Sequence, residues 1–224
     1  MTNYRKGAPE PVNDSVNHWT NTPLNALSRG HADAAPAAGF YLPLIYTLMQ
    51  SRQSGGQCGR FAFTAVSRGE GVTSVVQSLA KEMARHTGER ILIAPSGSLN
   101  RIVSPDAREL ERRVVPVSSM VWTVPGPELI GSAANSFGQN RGFHALDGKF
   151  GFLLIDCPSL KRSSEALYLS KHIDGVVLVV AAGETRKDHI EQARKLIKVS
   201  ASTLLGFVLN KRTYPVPDCI YQRL

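Results

Sequence analysis

The stretch Ser67-Arg68-Gly69-Glu70-Gly71-Val72-Thr73-Ser74 has the composition of a phosphate cradle. Glycines let a backbone approach anionic oxygens, and a helix starting just downstream would offer unpaired N–H groups. The generic P-loop reads G-x-x-x-x-G-K-[ST]. Gly71 fits the second glycine and Thr73 the hydroxyl that would hold magnesium. Val66 stands at the first glycine and Val72 at the lysine, so the pattern departs at both places. A second chemical feature is Asp156, reached through Phe152-Leu153-Leu154-Ile155 and followed by Cys157-Pro158. This has the form of a Walker B strand, whose terminal carboxylate can reach a magnesium ion. The competing role for Asp156 is a plain cap on the next helix. The loop also reads as G-x-G-x-x-S, close to a dinucleotide fingerprint. That reading needs an acid after the next strand, and Ala94-Pro95-Ser96-Gly97 supplies none.

Other chemistry has no anchor. The six histidines form no metal-spaced pair. No G-x-S-x-G elbow occurs, which removes the usual start of a hydrolase triad. Cys58, Cys157 and Cys219 show no C-x-x-C spacing and cannot all pair within one chain, so buried or idle thiols are expected. The run Glu109 to Arg113 reads as a solvated helix face, and so do Arg186, Lys187, Arg194, Lys195 and Lys198. For the second group, an anionic partner surface is the alternative.

The elements that must position the loop follow from periodicity. Pro43 sets a helix start within Tyr41 to Gln50. Strands are expected over Phe61–Val66, Ile91–Ala94, Met120–Val124, Phe152–Ile155, Val176–Ala181 and Leu204–Leu209. Helices are expected over Val72–His86, Leu160–His172 and Lys187–Val199, with helical pieces between Leu129 and Leu146. The strand runs are continuously apolar and do not alternate. Strands buried on both faces and separated by helices predict a three-layer α/β fold, a mainly parallel sheet with helices on both sides.

The chain has 224 residues, 42% of them hydrophobic and 20% charged, which suits a globular domain with an appendage. Residues 1–38 are rich in Asn, Pro and Ala without a period and read as a disordered tail. Residues 39–224 form the domain. The formal net charge is +8, and it falls on the folded part because the tail's charges cancel. No basic stretch followed by an apolar one opens the chain, and no run approaches a membrane span, so a cytoplasmic protein is expected.

Taken together, these motifs resemble the bacterial tyrosine kinases (BY-kinases) of capsule and exopolysaccharide synthesis, and more broadly their MinD/ParA-type P-loop relatives. The family loop reads roughly T-S-A-x-P-G-E-G-K-S-T. Thr64 to Ser74 follows it with Gly69-Glu70-Gly71 intact. Phe150 to Pro158 resembles the family's Walker B strand, Asp174 to Val180 resembles D-G-V-V-L-V-V, and Thr185 matches a following threonine. Leu205 to Asn210 resembles L-G-x-V-L-N, whose asparagine lies near the nucleotide base in relatives. The resemblance spans roughly residues 40–224. It implies a P-loop NTPase-like fold and ATP or ADP with magnesium as ligand. The phosphate site would be Arg68, Gly69, Glu70, Gly71, Val72, Thr73 and Ser74 with Asn210, and the metal ligands Thr73 and Asp156. Were the chain active, Asp156 would be its catalytic candidate.

Departures from the family pattern shape the expected function. Val72 replaces the lysine. The second acidic strand motif falls on Ile91 to Gly97 and has no acid. The family's tyrosine cluster is missing, with only Tyr214 and Tyr221 near the end. The oligomerisation helix motif E-x-x-R-x-x-R has a counterpart carrying Pro43, Tyr46 and Met49. Phosphoryl transfer rests on positioning and charge stabilisation, and an apolar Val72 supplies neither. The expectation is a regulatory, weakly nucleotide-binding or cofactor-free protein of exopolysaccharide biosynthesis or export. Its partner would be a membrane polysaccharide co-polymerase or another component of that machinery, which would hold it at the inner face of the membrane. Self-association is a further option. The alternatives are an active tyrosine autokinase, with Arg68 serving the phosphates, and a ParA/MinD-like ATP-dependent binder of DNA or membrane. DNA is the less favoured partner.

Overall fold

The computed structural model describes residues 39–52, 58–102, 107–125 and 143–211. The expected tail over residues 1–38, most of the helical pieces after Leu129, and Tyr214, Cys219 and Tyr221 lie outside them.

Helix α1 (Leu42–Ser51) begins with Pro43 in its first turn and buries Ile45 and Leu48. Strand β1 (Gly59–Ala65) follows, then α2 (Val72–Thr87) and β2 (Ile91–Pro95). Helix α2 buries Val75, Val76, Leu79, Ala80 and Met83, one apolar stripe at helical spacing. It stops at Gly88, whose φ of 66° lets its N–H cap Ala84 O. Helix α3 (Ala107–Arg113) leads to a hairpin of β3 (Val115–Ser118) and β4 (Val121–Thr123). The remaining elements are β5 (Phe152–Asp156), α4 (Glu165–Tyr168), β6 (Gly175–Ala181), α5 (Lys187–Val199) and β7 (Leu204–Asn210). Short 3-10 turns lie at Ser96–Arg101, Phe143–Leu146 and Leu169–Lys171.

The seven strands order as β3-β4-β2-β5-β1-β6-β7. Every pairing is parallel except β3 with β4. Strand β6, between β1 and β7, is buried at every residue, as a strand covered on both faces must be. One face packs Val75, Leu79 and Met83 of α2 and Ile45 and Leu48 of α1 onto Phe61, Phe63, Phe152 and Val177. The other packs Leu110 of α3, Ala166 of α4 and Ala193 and Ile197 of α5 onto Ala62, Leu92, Leu153 and Leu178. This is the three-layer α/β architecture that the buried apolar runs imply.

Two expectations need correction. The helix expected over Leu160–His172 is only the single turn α4 and the 3-10 turn behind it. The segment ahead of α4 is tied to β1 instead. Thr64 Oγ1 donates to Pro158 O at 2.7 Å, and Leu160 N–H donates to Ala65 O at 2.8 Å. A main chain held along a strand end cannot also close helical bonds. The second correction is strand β3, an antiparallel edge that sequence reading missed. It is short, carries Pro116 and is largely exposed, so neither apolar run nor alternation announces it. No helix among the described residues is long and apolar enough to cross a membrane.

Candidate phosphate-binding loop

The loop after β1 lies at the C-terminal edge of the parallel sheet, where α/β folds place their ligand sites. Parallel register sets Phe63 of β1 and Pro95 of β2 on either side of Asp156, the last residue of β5. The loop then turns through Gly69 at φ 86° and Gly71 at φ 89°. Both values lie in the left-handed region that favours glycine. At Gly71 a Cβ would also meet Asn210 Nδ2, so the bond from that amide to Glu70 O would have to shift as well. Helix α2 starts on the next residue. Val75 N–H bonds to Gly71 O at 3.0 Å, and the amides ahead of it have no intrahelical carbonyl to meet. Free amides at the positive end of a helix dipole are the donors that anion-binding loops use.

Each residue singled out from the sequence can now be placed. Thr73 Oγ1 donates to Asp156 Oδ2 at 2.7 Å, so the hydroxyl and the carboxylate meet although 83 positions separate them. The plain cap role for Asp156 loses its basis, because the next helix begins only at Glu165. Arg68, Gly69 and Ser74 are exposed on the loop and the first turn of α2. Val72 is half-buried, and its side chain packs at the fringe of the apolar cluster beneath α1 and α2. Glu70 is turned inward and is only 4% exposed. Its Oε2 accepts from Val66 N–H at 3.0 Å, and its Oε1 accepts from Thr185 Oγ1 at 2.7 Å. The carboxylate braces the loop from inside. Asn210 Nδ2 donates to Glu70 O at 2.9 Å, which clamps the loop to the end of β7.

Sequence reasoning missed one pairing at this edge. Glu165 of α4 lies against Ser96 through a short Oε2–Oγ contact, and its Oε1 accepts from Ser163 Oγ at 3.1 Å. A carboxylate therefore stands beside the end of β2, which carries no acid of its own. No local signal foretells it, because the partners are 69 positions apart. Cys58 and Cys157 are buried, as expected of idle thiols. Trp122 packs edge-on to Phe150 with the Arg90 guanidinium 4.2 Å from its ring centre, which makes it part of the packing.

Burial raises the Asp156 carboxyl to about 6, and the Thr73 hydrogen bond opposes the rise. A carboxyl raised in the folded state binds its proton more tightly there than in the unfolded chain, so its contribution to stability falls as pH climbs from about 4 to about 6. The raised value costs on the order of 3 kcal/mol at neutral pH. Asp156→Asn should therefore unfold at a higher temperature than wild type at pH 7. The two should converge near pH 4 in a thermal melt followed at both pH values. A wild-type advantage at pH 7 would contradict the buried, destabilised carboxylate. A group held off its ordinary value in this way is common where charge must be met by a ligand.

The residues present fit a phosphate and a hard cation in part. Backbone amides and two left-handed glycines suit phosphate oxygens. Thr73 and Asp156 offer paired oxygens of the kind magnesium accepts. What the loop itself lacks is a buried or half-buried cationic side chain.

No family model matches the chain. The tyrosine-protein kinase CpsD of Streptococcus agalactiae is 25% identical over 183 residues, covering 70% of this chain and 77% of that protein. The kinase domain of VpsO superposes with a TM-score of 0.62 at 16% identity, covering 77% of this chain and 93% of that one. The septum site-determining protein MinD from Pyrococcus horikoshii, solved with Mg-ADP, superposes with a TM-score of 0.50 at 19% identity, covering 75% and 77%. The sheet order, the loop at its edge and these likenesses converge: the chain carries a BY-kinase-like domain on the P-loop ATPase fold.

Proposed function

We propose that the chain is a regulatory protein of capsule or exopolysaccharide biosynthesis that binds nucleotide weakly through the 67–74 loop and does not transfer phosphate. The observation behind this reading is Val72. The loop around it is fully built, with a left-handed glycine, an inner carboxylate brace and a Thr73–Asp156 pair. At the position that should carry a cation, an apolar side chain packs toward the core. Phosphoryl transfer depends on electrostatic stabilisation of spreading negative charge, and this position contributes none. ATP or ADP with magnesium is the proposed ligand. The loop amides would meet the phosphates, and Thr73 and Asp156 would hold the cation.

The proposed partner is a membrane polysaccharide co-polymerase, which would keep the protein at the inner face of the membrane. The exposed apolar residues Phe40, Tyr46 and Met49 on and beside α1 suit a protein contact more than bulk water. The test is incubation of the purified full chain with γ-labelled ATP and magnesium, followed by mass spectrometry of its tyrosines. No label and no phosphotyrosine are expected. Stoichiometric phosphotyrosine would overturn the proposal in favour of an active autokinase.

A further inference from the structure

The loop has no lysine of its own, yet the backbone of a lysine from another segment is held where the loop begins. The segment after β5 is laid across the end of β1. The contacts from Thr64 to Pro158 and from Leu160 to Ala65 are followed by a third, in which Lys161 N–H donates to Val66 O at 3.3 Å. Val66 is the residue on which the loop opens, and its own N–H is held by Glu70. Lys161 is thus fixed by its backbone directly beside the loop's first residue. Its side chain is exposed, and its ammonium lies 3.3 Å from His189 Nδ1 in the first turn of α5. It makes no salt bridge among the described residues.

The geometry points to Lys161 as the residue that supplies positive charge to a polyphosphate at this loop, in place of the cation that Val72 cannot provide. The inference rests on the reading of residues 67–74 as a phosphate loop. A lysine ammonium is a compact charge on a flexible stem, so it can swing from the His189 ring to an anion without moving the backbone that carries it. The main-chain bond to Val66 matters here. It sets the stem's origin on a segment strapped to β1. Arg68, by contrast, sits on the exposed loop itself. The ligand class is a di- or triphosphate, either free or part of a nucleotide.

The test uses the full chain and three probes: ATP with magnesium, inorganic pyrophosphate with magnesium, and adenosine. Lys161→Ala should weaken ATP and pyrophosphate binding about tenfold, the worth of one charge-assisted contact, and leave adenosine unchanged. Lys161→Arg should recover most of the loss. Adding Val72→Lys to Lys161→Ala should restore binding, because a charge then returns from the helix side. The salt dependence of pyrophosphate binding should weaken in Lys161→Ala alone. If wild type binds and Lys161→Ala binds equally well, or if the loss appears in Arg68→Ala instead, the inference is wrong. If wild type fails to bind while Val72→Lys binds, the loop reading stands and the compensating role of Lys161 falls. If neither binds, the loop reading fails and this inference fails with it.

Discussion

Val72→Lys should bind ATP–magnesium roughly ten- to a hundredfold more tightly than wild type, which corresponds to a charge-assisted contact of about 1.5–3 kcal/mol. Val72 is the first residue of α2, directly after the left-handed Gly71. Its side chain is half-buried against the apolar cluster under α1 and α2. A lysine stem can keep that apolar contact while its head turns outward to the loop. Without ligand the change should cost the fold a little. A cation at a helix N-terminus opposes the dipole by about 0.3–1 kcal/mol. With ligand the sign reverses, because the anion is the dipole's natural complement and now meets a full charge as well. Calorimetry would read the affinity, and a melt with and without nucleotide would read the reversal. Tyrosine phosphorylation should not appear with the tighter binding, since β2 still ends in Ala94-Pro95 and runs on into Ser96 without an acid. If wild type already binds tightly and the variant gains nothing, another cation is fully serving the phosphates, and the weak-binding reading is wrong.

The loop was legible in the sequence because its constraints are local. Left-handed glycines, a helix start and a strand ahead of them all fall within residues 59–75, and the structure puts the backbone where that pattern requires. Asp156 was legible for a similar reason. An apolar run ending in a carboxylate reads as a buried strand opening at the sheet edge. What could not be read was the direction of a side chain. Glu70 sits between two loop glycines and is grouped by sequence with the phosphate site, yet its carboxylate is buried and turned inward. Its partners Val66 and Thr185 are 4 and 115 positions away, and only the sheet order brings Thr185 close. The Glu165–Ser96 contact and the placing of Lys161 beside Val66 have the same cause. Both depend on how the segment after β5 crosses β1. That crossing also replaced the helix expected from the periodicity of Leu160–His172.

Glu70→Ala should lower stability by about 2–4 kcal/mol, a melting shift of about 5–15 °C for a domain of this size. The carboxylate accepts two hydrogen bonds, from Val66 N–H at 3.0 Å and from Thr185 Oγ1 at 2.7 Å. Hydrogen bonds to a charged group contribute about 1.5–3 kcal/mol each. Against this stands the cost of burying the charge, and the same truncation also strands Val66 N–H in a buried site where water cannot replace the acceptor. The second effect should win, because Val66, the residue after β1, is itself buried. Glu70→Gln separates charge from shape. Its amide oxygen can still accept from Val66, and its amine can donate to the Thr185 oxygen, so the loss should be about half. Thr185→Val removes the other partner and also the oxygen that accepts from Ala181 N–H at 3.2 Å. Combined with Glu70→Ala, it should cost less than the sum of the two single changes, since both break one contact. The coupling is expected at about 0.5–3 kcal/mol. Fully additive single changes would mean that Glu70 and Thr185 act separately. The loop would then be held by its glycines and Asn210 alone, not by a brace tying it to the turn ahead of α5.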